Sequence, residues 1–178
     1  MRALYINQET LTANSTLTVR NQNNNIKYLI TGRWGIKHSG FSVNDVYGNE
    51  LAKIIQTKTG MMPEFTIFQN HQPVCKFVRP LNSTSEFFYL PQLHWIVIGN
   101  LKKMKYRILK FNNRIMTTKL TTGFPRQLIV SIDTCKHEPL CLCLIAILNY
   151  WAQNKSYHLI HPLIHKELGN EMAFRINK

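Results

Sequence analysis

Residues 138–151 read EPLCLCLIAILNYW. From Leu140 to Leu148 every side chain is apolar, so a helix built from this stretch has no polar face. A helix that is hydrophobic all round must be buried on all sides. The run is too short for a bilayer, which needs about 20 apolar residues. Pro139 suits the first helical turn, because it lacks an N–H that would have no partner there. Asp133 or Thr134, just upstream, is placed to cap the helix. The rest of the chain reads as short strands, so the helix is expected inside a curved or closed sheet.

Upstream of the helix, one pattern recurs: large apolar, polar, β-branched. It appears as Leu17-Thr18-Val19, Phe41-Ser42-Val43, Phe65-Thr66-Ile67 and Tyr106-Arg107-Ile108. The first three start 24 residues apart. Each is followed by a turn-like segment rich in Asn, Asp, Gly or Gln, residue types of which several tolerate left-handed backbone. A return strand follows each turn: Ile26 to Ile30, Glu50 to Gln56, Pro73 to Val78 and Arg114 to Lys119. The unit is a β-hairpin, used at least four times. Period-two alternation sends Phe41, Val43, Phe65, Ile67, Tyr106 and Ile108 inward and Ser42, Thr66 and Arg107 outward.

Leu4 to Ile6 reads as an opening strand and Leu128 to Ile132 as the last before the helix. Leu93 to Ile98 is more continuously apolar and is expected to be buried on both faces. Arg79 to Pro91 reads as irregular. About a dozen short strands with turns between them favour a barrel or a sandwich. The helix decides for a closed barrel, since a two-layer sandwich has no room for it. The chain therefore divides into a mainly β barrel with its central helix (138–152) over residues 1–153, and a tail over 154–178. In that tail Ile160, Leu163, Ile164 and Leu168 fall at helical spacing.

The net charge is +13, from 22 Lys and Arg against 9 Asp and Glu. Such a balance attracts polyanions, whether nucleic acid or anionic headgroups. It is also uneven: no acid occurs between Phe87 and Ile132, a stretch that holds Lys102, Lys103, Lys105, Arg107, Lys110, Arg114, Lys119 and Arg126. The first residues, MRALYINQETLTANS, contain no secretory apolar segment. The expected location is the cytoplasm, with a peripheral association at the membrane. Cys75, Cys135, Cys141 and Cys143 are then expected as free thiols. A monomer is expected.

The hairpin form F-S-V-x-D-x-x-G-N-E-L-A-x-I, the strand LHWIVIGN, the hairpin YRILKFNNRIMTTKL and the late helix CLCLIAILNYW together resemble the LURP-one-related family. The resemblance covers Leu4 to Trp151. It implies the tubby C-terminal-like fold, a twelve-stranded barrel threaded by a hydrophobic C-terminal helix. That superfamily includes phospholipid scramblases, and its tubby domains bind phosphoinositides through a basic patch. The chain lacks the acidic calcium loop of scramblases, so scramblase activity is not implied.

No G-x-S-x-G, Walker A, H-E-x-x-H or G-x-G-x-x-G occurs, and no enzyme activity is expected. Asp45 and Glu50 flank one turn and read as turn and solvent residues. His158, His161 and His165 have helical spacing but lack the fourth ligand of a structural zinc site. Cys141 and Cys143 read as core packing. No metal or cofactor is expected. The strongest functional feature is the basic ladder. Lys103, Lys105 and Arg107 alternate with Met104, Tyr106 and Ile108, and Lys110, Arg114 and Lys119 continue it on the partner strand. These six are the candidate ligands for an anionic phospholipid surface. Nucleic acid would use the same charges, but it also wants exposed aromatic rings, and here most of the rings are expected to face inward, which ranks lipid above nucleic acid. A third reading is an interaction scaffold whose charge serves solubility alone.

Overall fold

The computed structural model describes residues 1–7, 16–33, 39–60, 62–79 and 86–153. The alternating segments form twelve strands: β1 Arg2–Asn7, β2 Thr16–Arg20, β3 Ile26–Arg33, β4 Gly40–Asn44, β5 Glu50–Lys58, β6 Glu64–Gln69, β7 Gln72–Val78, β8 Glu86–Leu90, β9 Trp95–Asn100, β10 Lys105–Lys110, β11 Asn113–Leu120 and β12 Gln127–Ile132. All four repeated hairpins are present. Two of their turns are made by the same device. Asn21 Oδ1 accepts the N–H groups of Asn23 and Asn25 at 3.0 and 2.9 Å. Asp45 Oδ1 accepts those of Tyr47 and Asn49, both at 2.9 Å. Gly48 in that second turn has φ +91°, where a side chain would be strained.

The sheet runs β7-β6-β5-β4-β3-β2-β1-β12-β11-β10-β9-β8, and every neighbouring pair is antiparallel. Apart from β7 and β8, strands consecutive in the chain are therefore paired, and the first and last strands, β1 and β12, pair along their whole length. The ladder stays open between β7 and β8. Side chains close that seam: the Phe77 and Phe88 rings stack at 4.9 Å, and Gln92 Oε1 accepts the Lys76 N–H at 3.3 Å. The result is a nearly closed barrel.

Helix α1 (138–153) follows a 3-10 turn at Cys135–His137. Leu140 to Leu148 are all 3 % exposed or less. Strands from all round the barrel meet it. Tyr28 on β3 and Arg2 on β1 reach Glu138 at its start. Phe41 on β4 contacts Tyr150, and Phe65 and Phe88 on β6 and β8 contact Trp151 near the other end. Burying one Leu or Ile contributes about 1.5–3 kcal/mol, so this helix is a large share of the core.

Several expectations need correction. The rings near the basic hairpin do not all face inward: Phe87, Tyr89 and Phe111 are exposed. Residues Glu86–Leu90 form β8 rather than irregular chain; Phe88 and Leu90 are buried while Phe87 and Tyr89 are exposed, a period-two strand signature. Strand β9 is not buried on both faces: Trp95 and Val97 are buried, but Ile96 is partly exposed and Ile98 exposed, because none of the described residues forms a further layer over the barrel there. Neither Asp133 nor Thr134 caps α1 through its side chain; Asp133 Oδ1 instead accepts the Thr134 N–H at 2.7 Å and contacts His137 Nδ1 at 2.9 Å. Thr66 is buried although alternation turns it outward; it is flanked across the sheet by Ile55 and Lys76, and the Thr57 hydroxyl is 3.4 Å from its own. The predicted tail, 154–178, with His158, His161 and His165, lies outside the described residues.

Candidate anion-binding surface

The basic ladder is built by strand alternation on β10 and β11. Tyr106 and Ile108 are fully buried, which turns Lys105 and Arg107 outward, and both are exposed. Lys103 is exposed too, but it sits in the turn before β10 and not on the strand. Its backbone N–H is held by Asn100 Oδ1 at 3.0 Å, and Met104 beside it has φ 47°. On β11, Lys119 and Arg114 are exposed. Arg107 lies opposite Thr117, and a bulge near Ile108 and Leu109 places Arg114 opposite Leu109. Lys110 is the exception. Alternation puts it in register with buried Trp95, and it is only partly exposed.

Thr118, which no sequence signal singles out, positions this hairpin. It is buried, its hydroxyl accepts the Tyr106 N–H at 2.8 Å, and it donates to the Met104 carbonyl at 3.1 Å. A side chain thus completes the ladder where Lys105 and Lys119 project. None of the six predicted cations is ion-paired among the described residues: the pairs present involve Arg2, Lys53, His71 and His137. Exposed like charges that are not ion-paired among the described residues attract anions within about a Debye length, ~8 Å.

A second polar cluster sits where α1 begins. Glu138 is 1 % exposed. The Tyr28 hydroxyl donates to its Oε2 at 2.5 Å, and Arg2 Nε lies 3.5 Å from its Oε1. Arg2 Nη1 also donates to Cys135 Sγ. Burial, and then the bond to Glu138, push the Tyr28 hydroxyl pKa well up. The Trp95 ring meets His137 edge-on at 5.2 Å. This cluster ties the helix to β1, β3, β9 and the end of β12. No sequence signal marks it, because its members are scattered from Arg2 to Glu138.

No three His, Cys, Asp or Glu side chains converge as a metal site among the described residues. A groove of about 420 Å³ opens between β3, β4 and β5 over Gly32, Gly40, Ser42 and Lys53. A Cβ at Gly40 would lie 2.2 Å from the Ile54 carbonyl oxygen, so glycine lets these strands approach. Lys53, the charged residue among the described residues that line the groove, is already paired with Glu50 at 3.0 Å. Among the described residues no helix is long and apolar enough to cross a membrane. Comparison with protein-family models, with curated proteins and with solved structures gives no match for this chain.

Proposed function

We propose that this protein is a non-enzymatic barrel that binds an anionic surface, namely phospholipid headgroups, through the outer face of β10 and β11. The observation that carries the reading is the set of exposed cations Lys103, Lys105, Arg107, Arg114 and Lys119, none ion-paired among the described residues. The resemblance to LURP-one-related proteins points the same way by analogy. On this reading the protein works at the cytoplasmic side of a membrane as a peripheral monomer, without metal or cofactor.

Each Lys or Arg near an anionic bilayer contributes about 1 kcal/mol. Changing Lys103, Lys105 and Arg107 together to Ser is expected to weaken binding to anionic liposomes by about 3 kcal/mol, roughly a hundredfold. Exposed substitutions of this kind change stability by less than about 0.5 kcal/mol each, so the thermal transition should stay in place. Liposome pelleting at two salt concentrations, with neutral lipid as control, reads the effect. Equal pelleting of variant and wild type, or no binding by wild type at low salt, would leave the scaffold reading, in which the charge serves solubility alone.

A further inference from the structure

Phe87, Ile98 and Arg107 lie directly opposite one another across β8, β9 and β10. Directly opposed residues share a face, so these three stand in one row on the outside of the barrel. The next row is Tyr89, Ile96 and Leu109, with Arg114 beyond Leu109. Phe87 is 55 %, Tyr89 47 % and Ile98 39 % exposed. Phe111, 74 % exposed, extends the patch: its ring stacks on His94 at 6.0 Å, and the Tyr89 hydroxyl is 3.0 Å from His94 Nδ1. In the first row the apolar side chains occupy β8 and β9 and the cation is on β10; in the second the apolar side chains run on through Leu109 of β10 and the cation is on β11. Exposed apolar patches with a polar rim mark interaction sites.

We propose that this strip inserts into the interfacial layer of a lipid bilayer while Lys105, Arg107 and Arg114 beside it hold anionic headgroups. The inference rests on the headgroup reading above and adds that the contact is apolar as well as electrostatic. Aromatic rings favour the bilayer interface, and long cationic side chains lay their stems along apolar surface while keeping the charge at headgroup level. No acid between Phe87 and Ile132 opposes an anionic surface. The aliphatic residues decide between a bilayer and a single-stranded nucleic acid. Ile96, Ile98 and Leu109 separate the rings of β8 from the cations, so a strand following the charges along β10 and β11 would meet one ring among the described residues, Phe111 at the turn, and otherwise side chains with no flat face for its bases. A bilayer uses aliphatic and aromatic groups alike.

The test is sedimentation with phosphatidylcholine vesicles containing phosphatidylglycerol, over a salt series up to about 1 M, where the Debye length falls to ~3 Å. Wild type is expected to keep measurable binding at the highest salt. Phe87→Ser with Ile98→Ser should lose about tenfold or more at every salt with an unchanged salt slope. Lys105→Ser with Arg107→Ser should instead flatten the slope. A Phe87→Trp variant gives a reading that keeps the strip intact: brominated lipid should quench its fluorescence beyond the level that Trp34 and the buried Trp95 and Trp151 set in wild type. Complete release of wild type by salt, unchanged binding of the Phe87/Ile98 variant or no added quenching would overturn insertion and leave headgroup binding standing. Loss of oligonucleotide binding in the Phe87/Ile98 variant with vesicle binding intact would make the strip a nucleic-acid platform. If wild type binds these vesicles at no salt concentration, both readings fall.

Discussion

The hydroxyl of Tyr28 is the main neutral partner of a carboxylate that the fold has taken out of water. Glu138 is 1 % exposed, and its other neighbour, Arg2, approaches only to 3.5 Å. A hydrogen bond to a charged group contributes about 1.5–3 kcal/mol, so Tyr28→Phe is expected to lower unfolding stability by about that amount in urea titration. The pH dependence follows from the raised pKa of Tyr28. The fold favours the neutral hydroxyl, so this stability is complete below the ordinary tyrosine value of about 10. It is lost as pH rises from there toward the higher folded value. Wild type should therefore weaken in alkali above about pH 10, and Tyr28→Phe should weaken less steeply. Parallel curves for the two proteins would mean that the bond is not made.

At the scale of the element, α1 behaves as core rather than as an amphipathic helix. Its cysteines report on that directly. Cys141 and Cys143 are fully buried, and burial drives both thiol pKa values well up. Cys75 on β7 is buried and shifted upward for the same reason. Only Cys135 is exposed. The thiolate is the reactive form, so titration with Ellman's reagent should modify Cys135 alone in the native protein and all four thiols after denaturation. Fast native labelling of Cys141 or Cys143 would place the helix outside the barrel. The same helix holds Asn149, fully buried with neither side-chain amide atom bonded to another described residue. A polar group left so costs about 1–3 kcal/mol, a cost set against the burial of this turn.

Over the whole molecule, the weak line is the seam. Eleven strand pairs are hydrogen-bonded, while β7 and β8 meet through Phe77, Phe88 and Gln92. Local opening follows the places with fewest backbone bonds. Amides on the facing edges of β7 and β8 should therefore exchange with deuterium faster than those of β1 and β12, although the latter pair joins opposite ends of the chain. Equal protection on both sides would mean that the barrel is closed by hydrogen bonds all round. The seam strand β8 also carries Phe87 and Tyr89, so the proposed bilayer contact lies beside the least tightly bonded part of the sheet.

Whatever depends on local period was legible in the sequence. The repeated apolar-polar-branched triplets placed four hairpins to within a few residues, because strand geometry forces side chains to alternate whatever lies around them. The unbroken run Leu140 to Leu148 required a surrounding wall, and with a dozen strands only a barrel supplies one. The outward direction of Lys105 and Arg107 followed from the need to bury Tyr106 and Ile108. What only the tertiary structure decided was set by remote partners. Strand β9 carries the same apolar run whether its outer face is covered or open, and Ile98 is exposed beside Arg107 because no described residue packs over it. Glu138 reads as an ordinary helix-start acid until Tyr28 and Arg2 arrive from other strands. The seam falls between β7 and β8, and not between the chain's ends, because hydrogen-bond registry is settled by all twelve strands closing together, a condition no local pattern records.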